Sequence, residues 1–156
     1  MVVSNNSNAY ALERAKMNNI PTYIITGKSK EEIDIELECV LDNYKVDLIV
    51  LAGYLKLIGN RLISKYTIIN THPSLLPKFG GKGMYGMNVH KAVIEAKEKF
   101  SGPTVHFVNN NYDEGNIISQ TKFKLSNDET PDSLSRKVQE VEKIQLINVL
   151  KQFIKS

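Results

Sequence analysis

The sequence predicts an α/β domain built on a largely parallel sheet, with one antiparallel hairpin late in the chain. Three observations predict it. Short β-branched runs alternate with segments whose apolar residues recur at helical spacing. The run Asp47-Leu-Ile-Val-Leu-Ala-Gly53 is continuously apolar, which suits a parallel strand covered on both faces. Two further strand-like runs, residues 103–108 and 117–125, are separated only by a polar turn, close enough to pair as a hairpin. At 156 residues the chain has the size of one domain, taken as residues 1–156.

The elements follow in order. Val2 and Val3 read as the end of a strand entering a turn, and residues 9–18 as a helix with a weak apolar stripe. Pro21 introduces Thr22-Tyr-Ile-Ile-Thr26, a strand by β-propensity. Ser29-Lys-Glu-Glu32 has the form of a capping box, and Ile33, Leu37, Val40, Leu41 and Tyr44 then keep helical spacing on one buried face. Residues 58–66 form a short helix and residues 67–70 the next strand. Residues 72–88 are rich in proline and glycine and read as a long functional loop. Val89, Ala92, Val93 and Ala96 mark an amphipathic helix. Thr130-Pro131 supplies an N-cap with proline at the first helical position, and Leu134, Val138, Val141 and Ile144 share one face of the last helix.

Composition narrows the function classes. The chain is 42% hydrophobic and 24% charged, with a net charge of +3 and no arginine-rich stripe, so it does not ask for a nucleic-acid partner. No run of about 18 apolar residues implies a membrane span, and no signal peptide is expected. The single cysteine, Cys39, fits a reducing compartment and is expected to be buried and structural. No metal site is expected.

Asn70 and His72 are the first candidates for chemistry. In a strand, residues i and i+2 point to the same side, here roughly 6.5 Å apart by strand rise. An amide and an imidazole so placed can grip a carbonyl and move a proton. The alternative is a polar turn with an incidental histidine. In parallel sheets, ligands bind beyond the carboxyl ends of the strands. Gly53, Asn70 to His72 and the turn after Val108 all lie at such ends. Asp113, by itself, reads as a turn former. His106 is more naturally structural or supporting than catalytic, and His90, opening a helix, is expected to be solvated.

Three segments then carry a resemblance. Asn70-Thr-His-Pro-Ser-Leu-Leu-Pro77, Ser101-Gly-Pro-Thr-Val-His-Phe-Val108 and Asp113-Glu-Gly-Asn-Ile-Ile118 resemble, in order, the signature segments of the folate-dependent formyltransferases. Lys82-Gly-Met-Tyr-Gly86 narrows the likeness to the branch that formylates glycinamide ribonucleotide. The resemblance implies a Rossmann-like domain, 10-formyltetrahydrofolate as co-substrate and no metal. It implies a catalytic trio of Asn70, His72 and Asp113. Asn70 would donate to the formyl oxygen, His72 would stabilise that oxygen or move a proton, and Asp113 would orient His72 and relay a proton. It implies folate contacts from Tyr54, Leu55, Lys56, Leu57 and Ile58 and from Asn109, Asn110, Asn111 and Tyr112. The alternative for Leu55 and Leu57 is core packing. Glu142 matches a glutamate beside the ribonucleotide, although alone it reads as a solvated helix residue. Small-molecule partners, a cytoplasmic location and a homodimer are compatible with this resemblance.

The chain also departs from that pattern. Members begin with a strand, a Ser-Gly-x-Gly-Ser-Asn-like turn that holds the substrate phosphate, and a helix. The sequence is expected to lack this βα unit of about 30 residues, that is, to be N-terminally truncated. Gly80 stands where members have proline, and Glu142-Lys-Ile-Gln-Leu-Ile147 differs from their Glu-His-x-x-Tyr-Pro. Three readings follow: the ribonucleotide formyltransferase, a non-catalytic folate-binding module, or a sister enzyme that formylates methionyl-tRNA or hydrolyses formyl-folate.

Overall fold

The computed structural model describes residues 1–154 and divides them into two compact units, one of residues 1–47 and 58–66, the other of residues 48–57 and from 67 onward. The predicted α/β class and the late antiparallel hairpin are both present. No helix among the described residues is long and apolar enough to cross a membrane.

In the first unit, strands β1 (Val2–Ser4) and β2 (Thr22–Ile24) pair in parallel, Val2 against Thr22 and Ser4 against Ile24. Helix α1 (Tyr10–Met17) connects them and buries Leu12 and Ala15. Helix α2 (Lys30–Asn43) begins at the predicted capping box: Ser29 Oγ accepts the Glu32 N–H at 3.1 Å, and Glu32 Oε2 accepts from the Lys28 and Ser29 N–H groups. Ile33, Leu37 and Leu41 are buried as expected, but Tyr44, which caps the helix, is 52% exposed. Cys39 is exposed rather than buried, on the outer side of the same helix.

Helix α3 (Asn60–Lys65) lies against α2 through ion pairs of Glu38 with Arg61 and Lys65, and of Asp42 with Lys65. The start of α3 is tied down by Asp34, whose Oδ1 accepts the Gly59 N–H at 3.1 Å. A Cβ at Gly59 would stand 1.4 Å from Asp34 Oδ2, so any side chain there would have to displace the carboxylate.

The second unit holds a four-stranded sheet in the order β3 (Leu48–Leu51), β4 (Thr67–His72), β6 (Thr104–Phe107), β7 (Ile117–Gln120). β3 and β4 are parallel, while β6 runs antiparallel to both β4 and β7. β4 continues past Asn70 to His72 because Thr104 of β6 still pairs opposite it. The run predicted as one strand over residues 117–125 is two. β7 serves the main sheet, and β8 (Phe123–Lys124) pairs instead with β5 (Phe100–Ser101). The chain turns between them beside Gly102, where a Cβ would meet the Thr121 carbonyl oxygen at 1.8 Å.

Among the described residues, two apolar clusters help to hold this unit. Ile69, Val105 and Val149 are buried together, with Leu48, Val50, Leu146 and Phe153 packed on them, so helix α5 (Pro131–Ile154) covers one face of the sheet. Val89 and Val93 of helix α4 (Met87–Glu95) pack with Leu125, Leu134 and Val138. Ile144, expected on the buried face of α5, is 66% exposed. The inward stripe runs Leu134, Val138, Gln145, Val149, and Gln145 donates to Ser119 Oγ at 3.0 Å.

Three helices stop with the same device. After α1, α2 and α4, the residues Asn19, Lys45 and Lys97 take φ of 54°, 49° and 51°. The next N–H reaches back five residues in each case, Ile20 to Ala15, Val46 to Leu41 and Glu98 to Val93. That is the Schellman arrangement, which usually employs glycine.

Candidate active site

The site grows from two neighbouring strands. Alternation along β4 puts Asn70 and His72 on one face and Thr71 on the other. Pairing with β6 sets His106 opposite Asn70 and Thr104 opposite His72. Directly opposed residues share a face, so an amide, two imidazoles and a hydroxyl are gathered on one patch. Asn70 Nδ2 lies 3.2 Å from His106 Nε2. His106 Nδ1 is 2.8 Å from the Phe107 carbonyl, which can only accept, so Nδ1 carries a proton, while Nε2 faces both the Asn70 amide and Asp113.

Asp113 enters from the turn between β6 and β7 and connects the set. One oxygen, Oδ2, accepts the Gly81 N–H at 2.9 Å and lies 3.4 Å from His72 Nδ1. The other, Oδ1, is 3.5 Å from Asn70 Nδ2 and 3.6 Å from His106 Nε2. Asp113 has a φ of 58°, a left-handed conformation uncommon outside glycine and best tolerated by Asn and Asp. Burial pushes its carboxyl up. Hydrogen bonds from His106 and Gly81 and the two nearby imidazoles outweigh that, leaving it below the usual carboxylate range and ionised at neutral pH.

His72 is 4% exposed. Its Nε2 lies 2.8 Å from the Phe79 carbonyl oxygen and so carries a proton, leaving Nδ1 turned toward Asp113. Burial lowers its pKa. Asp113, the Phe79 carbonyl and Glu142 oppose the shift, but the balance stays below the ordinary histidine value. The resting ring is therefore neutral at pH 7, with an unprotonated Nδ1 beside a carboxylate. It is prepared to take a proton rather than to give one. Asn70 likewise has its amide nitrogen already engaged, so an incoming oxygen must draw one of its hydrogens away from His106 or Asp113.

Backbone groups complete the constellation, and they come from the loop after His72. Thr104, fully buried, pins that loop: its hydroxyl donates to the Ser74 carbonyl at 2.6 Å and accepts the Leu76 N–H at 3.1 Å. Gln120 Nε2 donates to the Leu76 carbonyl at 2.8 Å and to Thr104 Oγ1 at 3.0 Å. The Leu76–Pro77 bond is cis. Phe79, at a φ of 57°, turns its carbonyl toward His72, and Gly80 passes so close to Leu76 and Asp113 that a Cβ would stand 2.6 Å from Leu76. A cleft of about 360 Å³ opens beside Asp113, lined by Leu76, Pro77, Tyr112 and Ile117 among others.

The structure thus brings Asn70, His72 and Asp113 together. The expected folate positions are less gathered. In the second unit, Leu55 is 57% exposed, which excludes the core-packing alternative for it; Lys56 is exposed, and Tyr54 and Leu57 are half-buried. Ile58 is buried in the first unit. Asn109 is half-buried and folds over the next turn by accepting the Asn111 N–H at 3.0 Å, while Asn110, Asn111 and Tyr112 are exposed. Glu142 is half-buried, not solvated, and accepts the Thr71 hydroxyl at 2.6 Å.

His90 differs from expectation. It is buried beside Val89, with Nδ1 lacking a partner among the described residues, and burial followed by the nearby His72 lowers its pKa. Sequence reasoning missed the Phe79 carbonyl, the Gly81 N–H and the Thr104–Gln120 anchor. The pairing of His106 with Asn70 was missed as well, because β4 and β6 are far apart in sequence and no turn between them marks their register.

Known proteins resemble this chain. The model of the formyl transferase family matches residues 1–150. The chloroplastic phosphoribosylglycinamide formyltransferase of Arabidopsis thaliana is 43% identical over 144 residues, 88% of this chain and 49% of that protein. The phosphoribosylglycinamide formyltransferase of Haemophilus influenzae is 36% identical over 146 residues, 90% of this chain and 66% of that protein. The chain thus spans about half the length of the plant relatives it matches. Among solved structures, glycinamide ribonucleotide transformylase 1 of Symbiobacterium toebii superposes with a TM-score of 0.90 at 31% identity, covering 99% of this chain and 73% of that one. The Coxiella burnetii phosphoribosylglycinamide formyltransferase gives 0.88 at 36% identity, with 97% and 72% covered.

Proposed function

This chain belongs to the formyl transferase family, and we propose that it moves the formyl group of 10-formyltetrahydrofolate onto the amine of glycinamide ribonucleotide, a step of de novo purine synthesis. The observation that carries this reading is the meeting of Asn70, His72 and Asp113 at the end of β4.

The chemistry asks for what these residues offer. As an amine attacks a formyl carbon, negative charge grows on the formyl oxygen and the attacking nitrogen must lose a proton. Asn70 supplies an N–H to the oxygen, a contribution of about 100- to 1,000-fold in rate for one such donor. Neutral His72 accepts that proton at Nδ1, and ionised Asp113 stabilises the imidazolium that results. As the oxyanion collapses and the bond from the formyl carbon to folate N10 breaks, the imidazolium returns the proton to N10, leaving tetrahydrofolate, the formylated amine and a neutral ring. No side chain needs to become covalently attached. The cleft beside Asp113 has the apolar walls and exposed backbone that suit a flat aromatic ligand with hydrogen-bonding edges. On this reading residues 54–57 and 109–112 take the folate, Ile58, being buried, is left out, and Glu142 takes the ribonucleotide. The single formyltransferase domain of residues 1–156 works in the cytoplasm on two small molecules.

The test is a steady-state formyl-transfer assay of this chain with both substrates, run beside His72→Ala. Turnover by the native chain, and a variant whose turnover falls far more than its folate binding, are the expected results. Folate binding without turnover in the native chain would replace this reading with that of a folate-binding module.

A further inference from the structure

Thr71 sits between the two reactive residues of β4, yet the chemistry above does not use it. Its side chain points to the opposite face from Asn70 and His72. There its hydroxyl donates to Glu142 Oε1 at 2.6 Å, joining β4 to α5 across 71 positions of sequence. The length is that of a charge-assisted O–H···O⁻ bond, stronger and more directional than a neutral one. Helix α5 also packs on this sheet through the apolar cluster of Ile69, Val105 and Val149 and through Gln145 with Ser119. A sheet-to-helix interface so built needs no carboxylate for cohesion. Occupying one Glu142 oxygen fixes the direction in which the other presents its lone pairs.

We infer that Thr71 is a substrate-positioning residue: its hydroxyl holds the Glu142 carboxylate in the orientation that receives the hydroxyl or ammonium donors of the formyl-accepting nucleotide. This rests on the assignment of Glu142 to the ribonucleotide side. The residue just before His72 would then set where the acceptor sits, while Asn70 and His72 act on what it carries.

The experiment is a double-mutant cycle on the full chain, with Thr71→Val, Thr71→Ser, Glu142→Gln and the Val/Gln pair. Acceptor KM, folate KM and kcat are measured for each, and acceptor Kd by calorimetry. Loss of one hydrogen bond to a charged group predicts that Thr71→Val raises acceptor KM and Kd about tenfold. Folate KM and kcat should change little, and Thr71→Ser should restore the native values. In the Glu142→Gln background, Thr71→Val should add almost nothing. Ribose 5-phosphate as a competitor separates the two donor sources. Weaker competition in Thr71→Val assigns the hydroxyls, and unchanged competition assigns the ammonium. If Glu142→Gln weakens acceptor binding but Thr71→Val does not, or if their effects add, the positioning role is overturned and the substrate role of Glu142 survives. Equal losses in acceptor KM, folate KM and kcat for Thr71→Val would also overturn it, marking a structural tie. If Glu142→Gln leaves acceptor binding unchanged, the assignment of Glu142 fails and Thr71 falls with it.

Discussion

Among the described residues, five that are not glycine adopt positive φ, and they fall into two regions that use the same backbone shape differently. Asn19, Lys45 and Lys97 end helices. Their conformation lets an otherwise orphaned carbonyl find an N–H, and their side chains do nothing for it. Phe79 and Asp113 stand in the candidate site, where the same twist aims a carbonyl at His72 and a carboxylate at both imidazoles. The left-handed region costs an L-residue about 1–2 kcal/mol. At the helix ends glycine could remove that cost without loss. In the site the cost is borne for the Asp113 side chain and for the direction of the Phe79 carbonyl.

Mutations can break this contrast. The largest expected effect is at Asp113. Asp113→Asn keeps a residue type that tolerates positive φ but removes the charge, and turnover in the formyl-transfer assay should fall by about 100- to 10,000-fold while the fold persists. Near-native turnover would mean that the strain at Asp113 serves only the turn. Next comes the anchor. Thr104→Val leaves the Leu76 N–H and Gln120 without their buried partner, which should cost about 1–3 kcal/mol in urea unfolding and also lower kcat, because the same loop carries Phe79 and Gly81.

The pH profile sharpens the comparison further. His72 must be unprotonated to accept a proton, and its folded pKa is lowered. The acid limb of kcat/KM should therefore lie below the usual histidine value of about 6.5. Asp113 raises the His72 pKa, so the limb should move to still lower pH in any Asp113→Asn activity that survives. A limb above pH 7 would show that the neutral ring is not the working form. The smallest effect belongs to the helix ends: Lys97→Gly should gain ~0.5–1 kcal/mol, seen as a higher urea midpoint at constant m-value, with turnover unchanged.

The same contrast explains what the sequence could and could not convey. Most elements were legible because the period of apolar residues and the capping box at Ser29 are local signals. Asn70 and His72 were legible as a pair because strand alternation fixes their common side. Asp113 was not legible by chemistry alone; it became a partner through the family likeness, and the hairpin register brings it to the other two. Helix stops at Lys45 and Lys97 carry no glycine, so nothing marks them. The inward stripe of α5 drifts off the pattern after Val138, leaving Ile144 outside and Gln145 inside, and buried His90 looks like any surface histidine in sequence. The contacts made by the Phe79 carbonyl and the Gly81 N–H are invisible in principle, since every residue owns such groups.

Asp34 and Gly59 show how far such hidden constraints reach. The carboxylate of one stands where a side chain on the other would begin, and it also places a negative charge at the positive end of α3. Position 59 is not free to gain a side chain while Asp34 keeps this place. In a library randomised at both, survivors carrying a side chain at position 59 should be those that have also shortened position 34. A constraint of this kind appears in a population of sequences as correlated change, with neither site invariant.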